Sequence, residues 1–180
     1  MNNLFDLTGE IAVVVGGTGM LGGAIARGLA GAGASVAVVG RNQEHGEAVV
    51  NSITALGGRA EFFSADATYR KSLHSAHLAI EKALGAPTVL VNAAGGNDPS
   101  VNATPEHPIE AIQLSDWQEH FKLNVGGGIL IPSQEFGAAM CKRGKGSIIS
   151  LSSLSGHTPL PRMVANSAAK AVVINVTKYI

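Results

Sequence analysis

Ile11-Ala12-Val13-Val14-Val15-Gly16-Gly17-Thr18-Gly19-Met20-Leu21-Gly22 decides how the rest of this chain is read. The stretch 11–15 is apolar throughout, with no polar alternation, as a strand buried on both faces requires. A glycine cluster follows, after which Leu21, Ile25 and Leu29, with Ala24, Gly28 and Ala32, fall on one face of a helix. Gly17-Thr18-Gly19-Met20-Leu21-Gly22 is thus G-x-G-x-x-G placed between a strand and a helix. In that context the first glycine makes the tight turn, the second admits a pyrophosphate, and the third lets helix pack on strand. The helix start offers unpaired N–H groups and the positive end of a dipole to phosphate. A tight turn with no ligand is the plainer alternative, and the placement argues against it.

Outward from this turn, short β-branched runs alternate with helical periods. Further strands are expected at 35–39, 60–64, 88–92 and 147–151, and helices at 43–56, 69–84, 115–141 and 162–180. Gly57-Gly58 stops the second helix. Ser115 reads as an N-cap, and Pro132 removes the bond to the Gly128 carbonyl, so a kink is expected there. Residues 95–114 carry Pro99, Pro105 and Pro108 and read as a surface loop or lid. Lys142, Arg143 and Lys145 around Gly144 are read as cations facing a helix C-terminal dipole rather than as an anion site. The alternation predicts an α/β fold, a doubly wound (Rossmann) parallel sheet with right-handed crossovers. No repeat or linker interrupts it, so 1–180 is expected to be a single NAD(P)-binding domain.

Composition narrows the partners. The 180 residues hold 13 Lys+Arg against 13 Asp+Glu, which leaves no basic field for nucleic acid or an acidic membrane. The single cysteine, Cys141, excludes a disulfide framework and suits a reducing compartment. Residues 1–10 lack the apolar core of a leader, and no apolar run approaches the ~18 residues that span a bilayer. A cytoplasmic location and a small-molecule substrate are expected. Gly at 23 of 180 is well above the usual ~7% and permits close backbone approaches. At the end of the second strand, where a carboxylate would hold the ribose 2′-hydroxyl of NAD, stand Gly40-Arg41-Asn42. The Arg41 fork can pair with a 2′-phosphate, which favours NADP over NAD; an ordinary exposed loop arginine is the alternative.

Together these residues form a family pattern. Val15-Gly16-Gly17-Thr18-Gly19-Met20-Leu21-Gly22 resembles the T-G-x-x-G-x-x-G turn of the short-chain dehydrogenases/reductases, with Val15 at the threonine. Asp66, followed by Ala67, stands where that family holds the adenine; Asn92-Ala93-Ala94-Gly95 is similar to its N-x-A-G after the fourth strand. Asn124 matches its helix asparagine, Ser153 its catalytic serine, and Lys170 the lysine of Y-x-x-x-K. The resemblance covers essentially the whole chain. It implies cofactor contacts at Gly16, Thr18, Gly19, Met20, Leu21, Gly22, Arg41, Asn42, Asp66, Ala67, Asn92, Ala93, Ala94, Gly95 and Lys170. It implies catalytic roles for Ser153, Lys170 and Asn124, with Asn166 in the acid/base position, a sheet order 3-2-1-4-5, and a dimer or tetramer. Residues 92–97, the proline-bearing loop and Ser133-Gln134-Glu135-Phe136 look most like the sugar-acid branch, such as mannonate (fructuronate) reductases and gluconate dehydrogenases.

Two departures qualify the resemblance. Position 166, thirteen residues past the serine, is asparagine in Asn166-Ser167-Ala168-Ala169-Lys170. Its i,i+4 spacing keeps both side chains on one helix face. An amide can hydrogen-bond a carbonyl oxygen but cannot cycle a proton at neutral pH, and losing a positioned acid/base typically forfeits about 10²–10⁴ in rate. A catalytically silent NAD(P)-binding protein is therefore the second reading. His157, four residues past Ser153, is a surrogate acid on one reading and a loop residue shaping the substrate mouth on the other. Family members also continue past the helix in which this chain stops, so the chain is expected to lack C-terminal strands, as a fragment or a shortened form, with the fifth strand as an apolar edge.

Other constellations are weaker. His74, His77 and Glu81 share a helix face, but no further ligands converge, so a solvated surface is preferred and no metal is expected. Trp117 and Phe121, at i,i+4, read as packing.

Overall fold

The protein is described from a computed structural model covering residues 4–158 and 160–180. The first three residues of the 1–10 stretch lie outside the described residues.

Five parallel strands form the sheet: β1 (Ile11–Val15), β2 (Ser35–Gly40), β3 (Arg59–Ser64), β4 (Val89–Asn92) and β5 (Ser147–Ser150), in the order β3-β2-β1-β4-β5. This is the expected 3-2-1-4-5. Registers run Ile11↔Ser35 to Val15↔Val39, Val15↔Asn92 and Asn92↔Ser150, so the C-terminal ends of β1, β4 and β5 align. The helices are α1 (Met20–Gly31), α2 (Gln43–Thr54), α3 (Arg70–Ala83), α4 (Leu114–Phe121), α5 (Ala138–Arg143) and α6 (Val164–Val176).

Alternate residues of β1 and β2 feed two cores. Ala12, Val14, Val36 and Val38 pack with Ala26, Ala30, Val49 and Ile53 of α1 and α2. Val13, Val15, Ala37 and Val39 pack on the other face with Leu73 and Ile80 of α3 and with Phe136 and Met140. Each fully buried valine contributes about 1.5–3 kcal/mol. Covering both faces explains the unbroken apolar run at 11–15.

The fourth helical segment departs from expectation. It starts at Leu114, with Gln113 as its N-cap and no side-chain cap, so Ser115 already lies inside the helix. From there the chain stays helical to Arg143, with π-helical turns at Lys122–Leu130 and Ser133–Gly137. Pro132 lies between them with helical φ −62°, ψ −41°. Pro132 takes one bond out of the helical ladder, and π-helical winding flanks it on either side. Gly144, in the left-handed region at φ 66°, ends the helix. The basic residues beside it do more than face a dipole: Arg143 donates to the Pro87 carbonyl, and Lys145 donates to Glu10 at 2.6 Å.

Two short 3₁₀ turns, Pro99–Val101 and Ile109–Ala111, shape the proline-bearing loop. It is docked rather than loose: Val101 is fully buried and the Ala103 N–H donates to the Arg162 carbonyl at 2.9 Å. On the far edge of the sheet, Ile149 of β5 is 48% exposed, the apolar edge the sequence anticipates. Among the described residues no helix is long and apolar enough to cross a membrane.

Candidate active site

The glycine turn is set by contacts that leave no room for a side chain. Gly16 has φ +87°, and a Cβ there would lie 2.5 Å from the Ala94 nitrogen. The turn is thus pressed against the loop after β4. Gly22 sits over it, where a Cβ would meet the Gly16 carbonyl oxygen at 2.2 Å, which is the helix-on-turn packing expected of the third glycine. Gly19 caps α1 with no side-chain hydrogen bond, and no acidic residue occupies the first turn. The leading N–H groups of α1 therefore have no side chain to satisfy them, as an anion site requires.

Beside this turn lies a cavity of about 170 Å³ across the C-terminal ends of the strands. Gly16, Thr18, Gly19, Arg41, Asp66, Ala67, Ala93, Ala94 and Gly95 line it, together with Val15, Val39, Gly40, Ala65 and Leu123. Most cofactor residues expected from the sequence thus converge. Six stand apart: Met20 and Leu21 are exposed in the first turn of α1, Gly22 lies beneath it, Asn42 caps α2 by accepting from the His45 N–H at 2.9 Å, and Asn92 and Lys170 lie outside the lining. Asn92 acts within the sheet, its amide donating to Ser133 and Ser150 hydroxyls, both at 3.1 Å. Val15, Val39, Gly40, Ala65 and Leu123 line the cavity without a cofactor role expected from the sequence; the first four lie at strand ends beside the turn, the one signal that points to them.

Asp66 is fixed before any ligand arrives. One carboxylate oxygen accepts from the Thr68 N–H and hydroxyl, both at 2.8 Å, and the other lies 3.9 Å from Arg41 Nη1. Burial alone would raise the carboxyl, but the Thr68 bonds and the Arg41 and Lys122 charges outweigh it and hold it below the ordinary range. A second hollow of about 450 Å³ shares Arg41 and Asp66 and extends over Gly96, Asp98, His120 and Lys122.

At the other end of the site, Gly95 stands between two side chains from different helices. A Cβ on it would lie 2.8 Å from Asn124 Oδ1 and 3.6 Å from Lys170 Nζ. Asn124, fully buried in the first π-helical stretch, accepts from the Gly96 N–H at 3.1 Å and donates to the Gly96 carbonyl at 3.0 Å. Lys170 donates to the Leu151 carbonyl at 3.0 Å, and the Ser152 hydroxyl donates to the Lys170 carbonyl at 2.9 Å. These two bonds staple α6 to the loop after β5. Burial pushes the Lys170 ammonium below the usual lysine range.

Ser153 sits at the head of a 3₁₀ turn, Leu154–Gly156, its hydroxyl accepting from the Ser155 N–H at 3.2 Å. Asn166, one turn before Lys170 on α6, is buried at 7% exposure, and its side chain has no hydrogen bond among the described residues. His157 is exposed, which places it poorly for a surrogate acid. His120, buried against Asn124, was not singled out in the sequence; a lone histidine in a polar helix start gives no signal of burial. The expected surface histidines instead share one carboxylate: His74 and His77 Nδ1 each lie 2.9 Å from Glu135 Oε1.

A glycine turn, a fixed carboxylate and a lysine–asparagine pair along one sheet edge make the arrangement of a Rossmann-type dinucleotide site. The profile of the short-chain dehydrogenase family matches residues 10–180, and the chain belongs to that family. The uncharacterized oxidoreductase UxuB of Bacillus subtilis (strain 168) is 40% identical over 97% of this chain. Among solved structures, a protein of Haemophilus influenzae with bound NAD, provisionally designated a D-mannonate oxidoreductase, is 28% identical with a TM-score of 0.91, covering 98% of this chain and 68% of that one. The gluconate 5-dehydrogenase of Burkholderia cenocepacia J2315, in complex with NADP and tartrate, is 29% identical with a TM-score of 0.86, over 97% of this chain and 65% of that one. The chain spans 65% of the length of UxuB.

Proposed function

We propose that residues 1–180 form the single NAD(P)-binding domain of a cytoplasmic oxidoreductase that moves hydride between a nicotinamide and a carbonyl or hydroxyl carbon of a polyol or sugar acid. The observation that carries this reading is the convergence on Gly95, which lines the glycine-turn cavity and lies between Asn124 and Lys170. The residues fit a dinucleotide: the α1 start has no side-chain cap, and Gly16 and Gly22 keep the turn flat against its neighbours. Similarity to a gluconate dehydrogenase and to a provisional mannonate oxidoreductase supports the substrate class.

The bound nicotinamide would supply the hydride chemistry. Gly16, Thr18, Gly19 and the first turn of α1, Met20 and Leu21, would hold the pyrophosphate. Asp66 and Ala67 would hold the adenine, and Ala93, Ala94 and Gly95 the nicotinamide half. Lys170 would bind the ribose hydroxyls, Ser153 the substrate oxygen, and Asn124 a water on the proton path. NADP is favoured over NAD because the Arg41 side chain is 73% exposed and held only by a 3.9 Å approach to Asp66. A surface pair of that kind is worth about 0–1 kcal/mol, so Arg41 can turn to a 2′-phosphate at little cost. A homo-oligomer, dimer or tetramer, is what the family resemblance suggests.

Asn166 favours the second reading, a catalytically silent dinucleotide-binding protein. Its amide occupies the acid/base position and cannot exchange a proton at neutral pH. The deciding experiment is a titration of the chain with NADPH and NADH, followed by nicotinamide fluorescence. Saturable binding with NADPH the tighter is expected. Failure of a folded chain to bind either would overturn both readings.

A further inference from the structure

The hydrogen bonds around Asn124 fix more than its own position. The Gly96 N–H can only donate and the Gly96 and His120 carbonyls can only accept. Asn124 Oδ1 lies 3.1 Å from the first, and Nδ2 lies 3.0 and 3.1 Å from the other two. The amide therefore has one orientation, with Nδ2 outward from the Gly96 N–H. The same Nδ2 is 3.3 Å from His120 Nε2. Nδ2 has two hydrogens for these three neighbours, so one N–H is at most shared between the His120 carbonyl and Nε2. Nδ2 has no lone pair to accept an Nε2–H, so the ring faces it best with Nε2 unprotonated and the proton on Nδ1. An imidazolium would set two donors against each other in a site where His120 is 5% exposed and Asn124 is fully buried.

We infer that His120, held as the neutral Nδ1–H tautomer, is a positioning residue that keeps the Asn124 amide clamped on Gly96 and lets it go when protonated. The inference rests on the reading of Gly95–Gly96 as part of the cofactor site. The charged neighbours are Lys170 of α6, whose ammonium opposes a second cation, and Asp98 of the loop after β4, which favours one; Asn124 faces the ring from the π-helical stretch. Burial is the largest influence and, with Lys170, it outweighs Asp98, holding the imidazole below its ordinary value of 6.5. The sign follows: the unfolded chain takes up the proton first as pH falls. The clamp's contribution is complete above about pH 6.5 and is lost as pH drops through the lower folded-state value.

The test uses the whole chain, wild type, His120→Gln and His120→Leu. Glutamine can offer an acceptor near the Nε2 position without titrating there, and leucine offers none. Imidazole ¹⁵N shifts at about pH 7.5 should report the Nδ1–H tautomer; an Nε2–H tautomer or an imidazolium overturns the inference. Wild-type affinity for NADPH should weaken as pH falls, by up to about tenfold per unit below the His120 pKa. His120→Gln should keep the neutral-pH affinity and lose that slope, and His120→Leu, which keeps the backbone carbonyl acceptor but has no titrating ring, should lose the slope as well. A Gln variant with the wild-type slope also overturns it. If no dinucleotide binds at all, the cofactor reading fails while the inference is still decided by hydrogen exchange. The Gly96 amide should lose protection at low pH in the wild type and keep it in His120→Gln; equal loss in both sinks the clamp.

Discussion

The turn between β1 and α1 and the loop between β5 and α6 lie along the same edge of one sheet, yet they tolerate change very differently. At the first, backbone presses on backbone: a methyl group on Gly16 or Gly22 would overlap the Ala94 nitrogen or the Gly16 carbonyl. At the second, side chains make the ties. Lys170 and Ser152 join α6 to the loop through backbone carbonyls that any residue could supply. Asn166 stands in its slot without a hydrogen bond among the described residues. A backbone-built site survives only if its glycines do, whereas a side-chain-built site can lose its acid and leave the fold intact. Membership of the short-chain dehydrogenase family and an asparagine at position 166 are therefore physically compatible in one chain.

The sharpest way to break this contrast is Asn166→Tyr. If the loop and α6 retain the geometry, the new hydroxyl should raise turnover of a polyol or sugar acid by about 10²–10⁴, measured as NADPH formation. No turnover with a properly folded, cofactor-binding variant would show that more than the acid is missing. Gly16→Ala attacks the other region. Overpacking and a positive φ together should cost about 2–5 kcal/mol, seen as a fall in Tm of roughly 5–20 °C, with NADPH binding lost. Unchanged binding would mean the turn is not where the pyrophosphate sits.

Much of this contrast is visible in the sequence, and for a reason. The apolar run at 11–15 and the glycine spacing after it are local consequences of a strand buried on both faces and a tight turn, so they show in a dozen residues. Asn124 and Lys170 are ordinary polar helix residues by themselves; only their match to a family pattern marks them. The π-helical winding at Lys122–Leu130 left no local sign. Gly126–Gly128 look like softening, but a Cβ on Gly127 would lie 3.1 Å from the Ala67 carbonyl carbon, and one on Gly128 2.9 Å from the Ala94 carbonyl oxygen. Those contacts come from loops 60 and 34 residues away (127 − 67; 128 − 94). Lys145 is similar: its partner Glu10 lies across the whole domain in sequence. Ser115 shows the opposite error, a good capping residue overruled because the helix had already begun at Leu114. Propensity is a weak prior where packing sets the boundary.

Gly28→Ala gives the smallest effect and the cleanest control. Gly28 lies inside α1, six residues past Gly22, and a Cβ there would meet nothing within 4 Å. Glycine in a helix interior costs roughly 0.5–1 kcal/mol relative to alanine, through the freedom it retains in the unfolded chain. The substitution should raise Tm by roughly 1–4 °C and leave NADPH affinity untouched, as thermal melts and the same fluorescence titration would record. The same chemical change, one methyl group, would then stabilise at one glycine of the helix and abolish binding at the turn that precedes it. If Gly28→Ala instead destabilised the chain, α1 would have a neighbour on that face that the fold described above does not contain.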